Sequence, residues 1–245
     1  MDSALHSFHK HKAVKSVSAD VLDSKQKRLT ALIVGLLLNA FGNGLTISTN
    51  VGTAPWGASE VNLAHILHTS IGLSMFMVGV LVACVNQLLI HRFDFPRFAG
   101  EIVFISFFSY FVNIFTVVFT KLGIANLPLV FRYVICFLGI IILCCSISFY
   151  QRANLIMHPN DDTTNILRFM YCHNKVIRAQ LLNFLVPVIV MTVCFFLTHH
   201  LYAVNVGTVI CLFANGPLIA FADKHLWHSL HHNIKKPHHI TDRNN

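Results

Sequence analysis

The stretch from residue 29 to residue 68, LTALIVGLLLNAFGNGLTISTNVGTAPWGASEVNLAHILH, decides the fold of this chain. Its first part, Leu29–Ser48, carries no charged residue and is long enough to cross a hydrocarbon core of about 30 Å as a helix. Gly52 and Pro55 then interrupt the helical pattern. The following segment, Trp56–His68, is too short to cross. A long apolar span followed by a short segment led by proline is therefore the first structural unit.

Five further apolar stretches of similar length follow this unit. They are Ile71–Ile90, Ile102–Leu122, Phe131–Tyr150, Val176–Leu197 and Val204–Ala222. Across all 245 residues, 55% are apolar and only 11% are charged, whereas soluble globular proteins carry about 25% charged residues. The composition excludes a soluble enzyme and a disordered chain. We predict an all-α membrane protein with six transmembrane helices.

The basic residues are distributed unevenly between the two sides of the predicted spans. The segments before the first span and after the second, fourth and sixth spans hold six, two, four and four of the 18 Lys and Arg residues. The other two are Lys121 and Arg132. Because basic residues accumulate in cytosolic loops, this pattern predicts that both termini are cytosolic. It also places the net charge of +8 at the membrane surface and argues against a nucleic-acid partner.

The chain contains a weak internal repeat. A shift of 104 residues superposes Asn50 on Asn154 and Pro55 on Pro159. Each proline opens a short segment, which is preceded by one long span and followed by two more. Three spans in each half is an odd number, so the second half must enter the bilayer in the opposite orientation. Inverted repeats of this kind occur in secondary transporters, with the binding site near the midplane.

The prediction is thus two inverted three-helix repeats, each with a short Pro-led helix after its first span. The predicted divisions are a flexible basic cytosolic tail (1–28), the first repeat (29–122), the second repeat (129–223) and a basic, His-rich cytosolic tail (224–245). Pro55–His68, which has no Lys or Arg, is expected to be buried in the membrane. Pro159–Cys172 lies between Arg152 and Lys175 and is expected to lie flat on the cytosolic surface. Either short segment can in principle adopt either position.

Polar residues near the breaks between spans are the candidates for a solute site. The predicted site residues are Asn43, Asn50, Pro55, Trp56, Glu60, Asn154, Asp161 and Asp162. Interhelical hydrogen bonding by asparagine, helix capping by aspartate and interfacial anchoring by tryptophan are alternative roles for the same residues. Because the acids outnumber the one nearby base, a cationic or neutral polar solute is favoured over an anion.

The sequence lacks the patterns of catalytic and metal sites. The seven cysteines show no C-x-x-C spacing, and His225, His228 and His232 have no carboxylate or cysteine that completes a metal-binding motif. No phosphate-binding or nucleophile motif is present. We therefore expect no enzyme activity, no cofactor and no metal, and we expect the basic tail to contact anionic headgroups.

Residues 45–73, LTISTNVGTAPWGASEVNLAHILHTSIGL, resemble bacterial membrane proteins of the YczE/YyaS/YitT family. The matching features are the glycine-rich first span, Gly52-x-x-Pro55-Trp56, Gly72-Leu73-Ser74, and Gly207-Thr208 with Gly216. The resemblance implies an internally duplicated, multi-span protein of the bacterial plasma membrane with a permease-like architecture.

Two positions depart from the pattern of that family. In the family an acidic residue typically follows the Pro-Trp pair, but this chain has Gly57 there. In the second half the family has a Gly-x-Gly-Pro stretch, where this chain has Met157-His158-Pro159. If the family's acidic residue binds a solute, that role would fall here to Glu60, Asp161 or Asp162.

The functional expectation is a small-solute permease whose partners are the lipid bilayer and a small polar solute. The alternative is a non-catalytic regulatory or interaction protein of the membrane, which the basic tails and the scarcity of ionisable residues in the spans favour. The sequence leaves the substrate, the coupling ion and the oligomeric state open.

Overall fold

The structure is a computed structural model that describes residues 22–233, a range in which it contains helices and no strands. The helices are α1 Lys25–Thr49, α2 Pro55–Leu67, α3 Ile71–Leu89, α4 Phe95–Lys121, α5 Leu129–Ala153, α6 Pro159–Ile166, α7 Val176–Thr198 and α8 Val206–His225. A 3₁₀ turn, Ile124–Asn126, precedes α5, and a π-helical turn, Leu167–Tyr171, extends α6.

Six of these helices are long and apolar enough to cross a membrane, namely α1, α3, α4, α5, α7 and α8. This confirms the all-helical fold with six spans. The largest difference in bounds is at α4, which begins at Phe95 and not at Ile102. The side chain of Asp94 accepts a hydrogen bond from the backbone N–H of Arg97, and a proline stands in the first turn. Both features favour a helix start.

The ends of the described chain pack against each other. Residues 22–28, predicted as part of a flexible tail, include the first turn of α1, and Asp23 accepts hydrogen bonds from the backbone N–H of His231 and the side chain of Asn233. Burial alone raises the pKa of Asp23, but hydrogen bonds from Lys27, His231 and Asn233 outweigh burial and leave this pKa well below its usual range. The rest of the two predicted tails, residues 1–21 and 234–245, lies outside the described residues.

Helices α1 and α5 form an antiparallel pair at the centre of the bundle. Arg28, at the start of α1, donates to the carbonyls of Ala153 and Asn154, each at 2.7 Å. Arg132, at the start of α5, donates to the carbonyls of Thr49 at 2.7 Å and Asn50 at 3.0 Å. Both arginines and both pairs of acceptors are related by the shift of 104 residues. The same type of arginine–carbonyl contact is therefore present at both ends of the α1–α5 pair.

Glycines let the backbones of α1 and α5 approach closely. A Cβ atom on Gly35 would lie 3.0 Å from the backbone nitrogen of Tyr150, and one on Gly139 would lie 3.4 Å from that of Thr46. These two glycines, and the two residues that they face, are again 104 residues apart. The contact at Gly42 is closer still, because a Cβ atom placed there would lie 2.8 Å from the carbonyl oxygen of Gly139.

The other helices surround this pair in a related arrangement. Helix α4 packs against α1, and α8 packs against α5. Each short helix contacts a long helix of the other half of the chain, since α2 packs against α7 and α6 packs against α3. Helices α3 and α4 also pack closely against each other, whereas α7 and α8 are the least buried spans.

The contact at Gly42 yields a test of the central pair. Gly42→Ala should destabilise the protein by about 1–3 kcal/mol, because the new methyl group meets backbone atoms that cannot move without shifting α5. Ile33→Ala on the exposed face of α1 is the control, since a lipid-facing side chain loses no packing partner. Thermal unfolding of the purified protein in detergent measures both. Equal stability of Gly42→Ala and wild type would contradict this packing.

Candidate solute site

A cavity of about 80 Å³ lies between α1, α2, α5 and α6. Its lining residues are Asn39, Asn43, Ala54, Pro55, Trp56, Gly57, Glu60, Phe108, Leu143, Ile147, Tyr150, His158, Asn160, Asp161, Phe184, Cys211 and Asn215. Asn39 and Leu143 lie near the middle of α1 and α5, and Tyr150 extends the lining to the last turn of α5. The amide of Asn39 donates to the Leu143 carbonyl at 3.0 Å and thereby joins the two helices at this level.

Most of the lining is contributed in pairs by the two halves of the chain. The pairs separated by 104 residues are Asn39 with Leu143, Asn43 with Ile147, Ala54 with His158, Trp56 with Asn160, and Gly57 with Asp161. Both short helices thus present their first turns to the same cavity.

Local sequence explains why the short helices begin here. Helix α1 ends at Asn50 and α5 ends at Asn154, each in the left-handed conformation with φ of 53° and 46°. Asparagine tolerates this conformation and ends a helix there. Pro55 and Pro159 then start α2 and α6, because proline suits a first helical position. Since α1 and α5 are antiparallel, the chain enters the two short helices from opposite ends of the bundle, and the first turns of both line the cavity.

Two carboxyl groups lie at the cavity wall. Glu60 is 3% exposed and has no ion-pair partner among residues 22–233, and Asn160 lies beside its carboxyl group. Asp161 accepts a hydrogen bond from the hydroxyl group of Tyr150. The cavity therefore combines acidic side chains from both short helices, and no Lys or Arg of the described chain lines it.

Several buried polar atoms of the lining lack a partner in the described structure. They are the indole nitrogen Nε1 of Trp56 and the amide oxygens Oδ1 of Asn160 and Asn215. Buried polar groups are nearly always hydrogen-bonded, because leaving one unpaired costs about 1–3 kcal/mol. One donor and two acceptors are thus available to a molecule in the cavity.

Five of the eight predicted site residues line this cavity: Asn43, Pro55, Trp56, Glu60 and Asp161. Three lie elsewhere. Asn50 and Asn154 are exposed helix-ending residues whose carbonyls accept from Arg132 and Arg28. Asp162 faces away from the cavity and binds Arg97 with both carboxylate oxygens, at 2.5 and 2.6 Å.

The sequence prediction omitted Tyr150, His158 and Asn160. The 104-residue shift contains a signal for two of them, because it maps Ala54 onto His158 and Trp56 onto Asn160. Tyr150 carries no such signal, since at the end of an apolar span it is typical of an interfacial anchor. The flat placement of the second short segment stays a prediction, and the structure adds that Pro159 and Asn160 in its first turn are buried within the protein.

Comparison with known proteins places the chain in a family. Residues 26–224, which extend from the first turn of α1 to the last turn of α8, match the family of unknown function DUF6198. The chain belongs to this family. It is also similar to an uncharacterized protein of Haemophilus influenzae, with 24% identity over 199 residues that cover 78% of this chain and 85% of that protein. No solved structure matches the chain significantly. The resemblance to the YczE/YyaS/YitT family stays a prediction.

The hydrogen bond between Tyr150 and Asp161 gives a test of the cavity wall. Tyr150→Phe should lower the free energy of unfolding by about 1–3 kcal/mol, because it leaves a buried carboxyl group without its donor. Tyr110→Phe is a matched control, since Tyr110 lies on α4 and is 62% exposed. Thermal unfolding in detergent compares the two. An equal effect of both substitutions would contradict the buried contact.

Proposed function

We propose that this protein is a small-solute permease of the bacterial plasma membrane, with both termini in the cytosol and no enzyme activity. One observation carries the proposal. A cavity beside the middle of the central helix pair is lined by the first turns of two short helices, which the chain enters from opposite ends of the bundle, and its wall carries acidic and amide side chains. Short helices whose N-termini meet at mid-depth are the usual way in which transporters build a solute site inside hydrocarbon.

We infer that the two halves of the chain are inverted repeats. Support comes from contacts that recur after a shift of 104 residues: Arg28 and Arg132 at the helix ends, Gly35 and Gly139 at the crossing. A further contact recurs with a slightly different shift. Gly52 contacts Gly207, and Ile156, which lies 104 residues after Gly52, contacts Gly100, which lies 107 residues before Gly207. These contacts are reciprocal, as a two-fold axis through the α1–α5 crossing requires.

The cavity favours a small solute that is cationic or neutral. Its volume of about 80 Å³ exceeds the roughly 10–15 Å³ that a cavity needs to hold one water, so it has room for a small molecule. Glu60 and Asp161 attract positive charge, while the indole N–H of Trp56 and the free N–H groups at the start of α2 attract an acceptor. A compact molecule that donates several hydrogen bonds and accepts at least one fits this combination.

The departure at Gly57 supports the same assignment. In the resembled family an acidic residue typically follows the Pro-Trp pair. Here the residue 104 positions after Gly57 is Asp161, and both line the cavity. The acidic group then contacts the same space from the other half of the chain.

A second candidate function is a membrane interaction protein. An apolar groove of about 480 Å³ between α5 and α8 favours it, with Tyr133, Phe137 and Ile210 among its lining residues. A groove of this kind also accommodates lipid chains, so it carries less weight than a buried polar cavity.

Solute binding is testable with three planar molecules of nearly equal size: guanidinium (cationic), urea (neutral) and nitrate (anionic). The chain has two tryptophans, so Trp227→Phe leaves Trp56 as the single indole reporter at the cavity. We expect guanidinium or urea to change its fluorescence saturably, and nitrate not to. Liposomes containing the protein should take up the same molecule.

The acid-to-amide substitution Glu60→Gln should weaken guanidinium binding about tenfold, because it removes the carboxyl group that can ionise as the counter-ion of a bound cation. Asp94→Asn is the control, since Asp94 lies outside the cavity and asparagine also caps a helix well. A response to nitrate alone, or no response to any of the three molecules, would show that the proposed solute class is wrong.

The proposed topology is tested by cysteine labelling in a background without the native cysteines. Asn126→Cys, in the exposed turn before α5, should react only from outside the cell. Asn174→Cys, in the exposed turn before α7, should react only after the membrane is permeabilised. Labelling of both from the same side would exclude the inverted arrangement.

A further inference from the structure

A second buried polar cluster lies behind α6, on the side away from the cavity. Asp162 is bound by Nε and Nη2 of Arg97 at 2.5 and 2.6 Å, and its side chain is 8% exposed. Glu101 of α4 is 1% exposed and lies one helical turn after Arg97, and Asn86 joins it to the first turn of α6 by donating to both Glu101 and the Pro159 carbonyl, which places its carboxyl group beside Asp162. Two acidic side chains therefore meet in a buried space, and the Arg97 guanidinium already binds one of them, Asp162, with two N–H groups.

The hydrogen bonds around Glu101 are incomplete. Asn86 of α3 donates to Oε1 of Glu101 at 2.8 Å, whereas Oε2 is buried and has no partner in the described part of the chain. Two carboxylate oxygens cannot bond to each other, because both only accept. They can do so when one of them carries a proton. An unpaired charge buried in this way is costly, so the group binds a proton instead.

We propose that Glu101 and Asp162 form a proton-binding site, in which the proton resides on Oε2 of Glu101 and is donated to the carboxylate of Asp162. Loading is simple protonation: a proton from water binds the Glu101 carboxylate, and release returns it to water. The charged groups that act on Glu101 within residues 22–233 are Asp162 from α6 and Arg97 from α4, while α3 supplies the uncharged Asn86.

The position of the cluster indicates how a proton reaches Glu101 and what loss of the proton changes. The side chain of Arg97 is 33% exposed, which connects the cluster to the end of the bundle that carries the turn between α3 and α4. In the first turn of α6, Asp161 contacts the cavity wall and Asp162 contacts this cluster. Loss of the proton would set two carboxylates against each other across the α4–α6 contact. Resting on the proposed function, we infer that proton release is coupled to solute binding in the cavity.

The proton site is tested without any solute. Infrared difference spectra of the purified protein at neutral pH should contain the C=O band of a protonated carboxylic acid, with the usual shift in deuterated water. Glu101→Gln should remove one such band, and Asp94→Asn should retain it. Glutamine can donate to Asp162 as the protonated acid does, so this variant is expected to fold. If the Glu101→Gln variant fails to fold, wild type supplies the test. Raising the pH should then remove the same infrared band and lower the thermal stability of the wild-type protein.

The coupling is tested with guanidinium as the probe. In weakly buffered solution with a pH-indicator dye, wild type should release protons when guanidinium binds. The Glu101→Gln variant should still bind guanidinium, as reported by Trp56 fluorescence, but it should no longer release protons. Asp94→Asn should behave as wild type.

The outcomes separate the two proposals. An infrared spectrum that is unchanged in Glu101→Gln overturns the proton site, whatever the solute experiments show. Equal proton release by wild type and Glu101→Gln overturns the coupling while the permease proposal stands. A missing response to guanidinium counts against the proposed solute and the coupling, whereas the infrared band still supports the proton site.

Discussion

The antiparallel pairing of α1 and α5 is the contact on which the rest of the structure depends. A helix end leaves four carbonyls without partners in the helix itself. Arg28 and Arg132 meet this constraint by donating to the last carbonyls of the opposite helix. Because those helix ends are fixed, the chain leaves each of them in a defined direction. Pro55 and Pro159 then start α2 and α6, and the first turns of both helices line the cavity.

Close backbone packing and a polar cavity are complementary consequences of this pairing. Hydrophobic burial does not drive helices together within lipid, so glycine contacts and interhelical hydrogen bonds must hold them. Gly42 and Gly139 bring the two backbones together, and the Asn39 amide joins them beside the cavity. The close contact leaves no room for large side chains at the crossing. Polar groups of the short helices are instead held around a small space, where several remain available to a solute.

Length and composition predicted the six spans because the thickness of the bilayer and the cost of burying charge dictate both. The two short helices were predictable from their prolines, and five of eight predicted site residues line the cavity. Local patterns did not distinguish a polar residue that faces a cavity from one that ends a helix, as Asn50 and Asn154 show. The flat placement of the second short segment rested on Arg152 and Lys175. Lys175 is exposed, but the side chain of Arg152 is turned inward and donates to the carbonyls of Leu226 and Leu230. Such contacts depend on residues distant in sequence.

The two halves share a backbone plan but differ in chemistry. Helix α2 has glycine at position 57 and its carboxylate nearly one turn later, at Glu60, whereas α6 has carboxylates at Asp161 and Asp162 in its first turn. One of these contacts the cavity wall through Tyr150, and the other contacts Arg97 on α4. The first turn of α6 therefore touches both buried acidic clusters, and α2 touches one. Because α6 is short and ends in a π-helical turn, a shift of this segment changes both clusters together. In the proposed coupling, this chemical asymmetry between the two halves of the chain makes α6 the element through which charge at one cluster acts on the other.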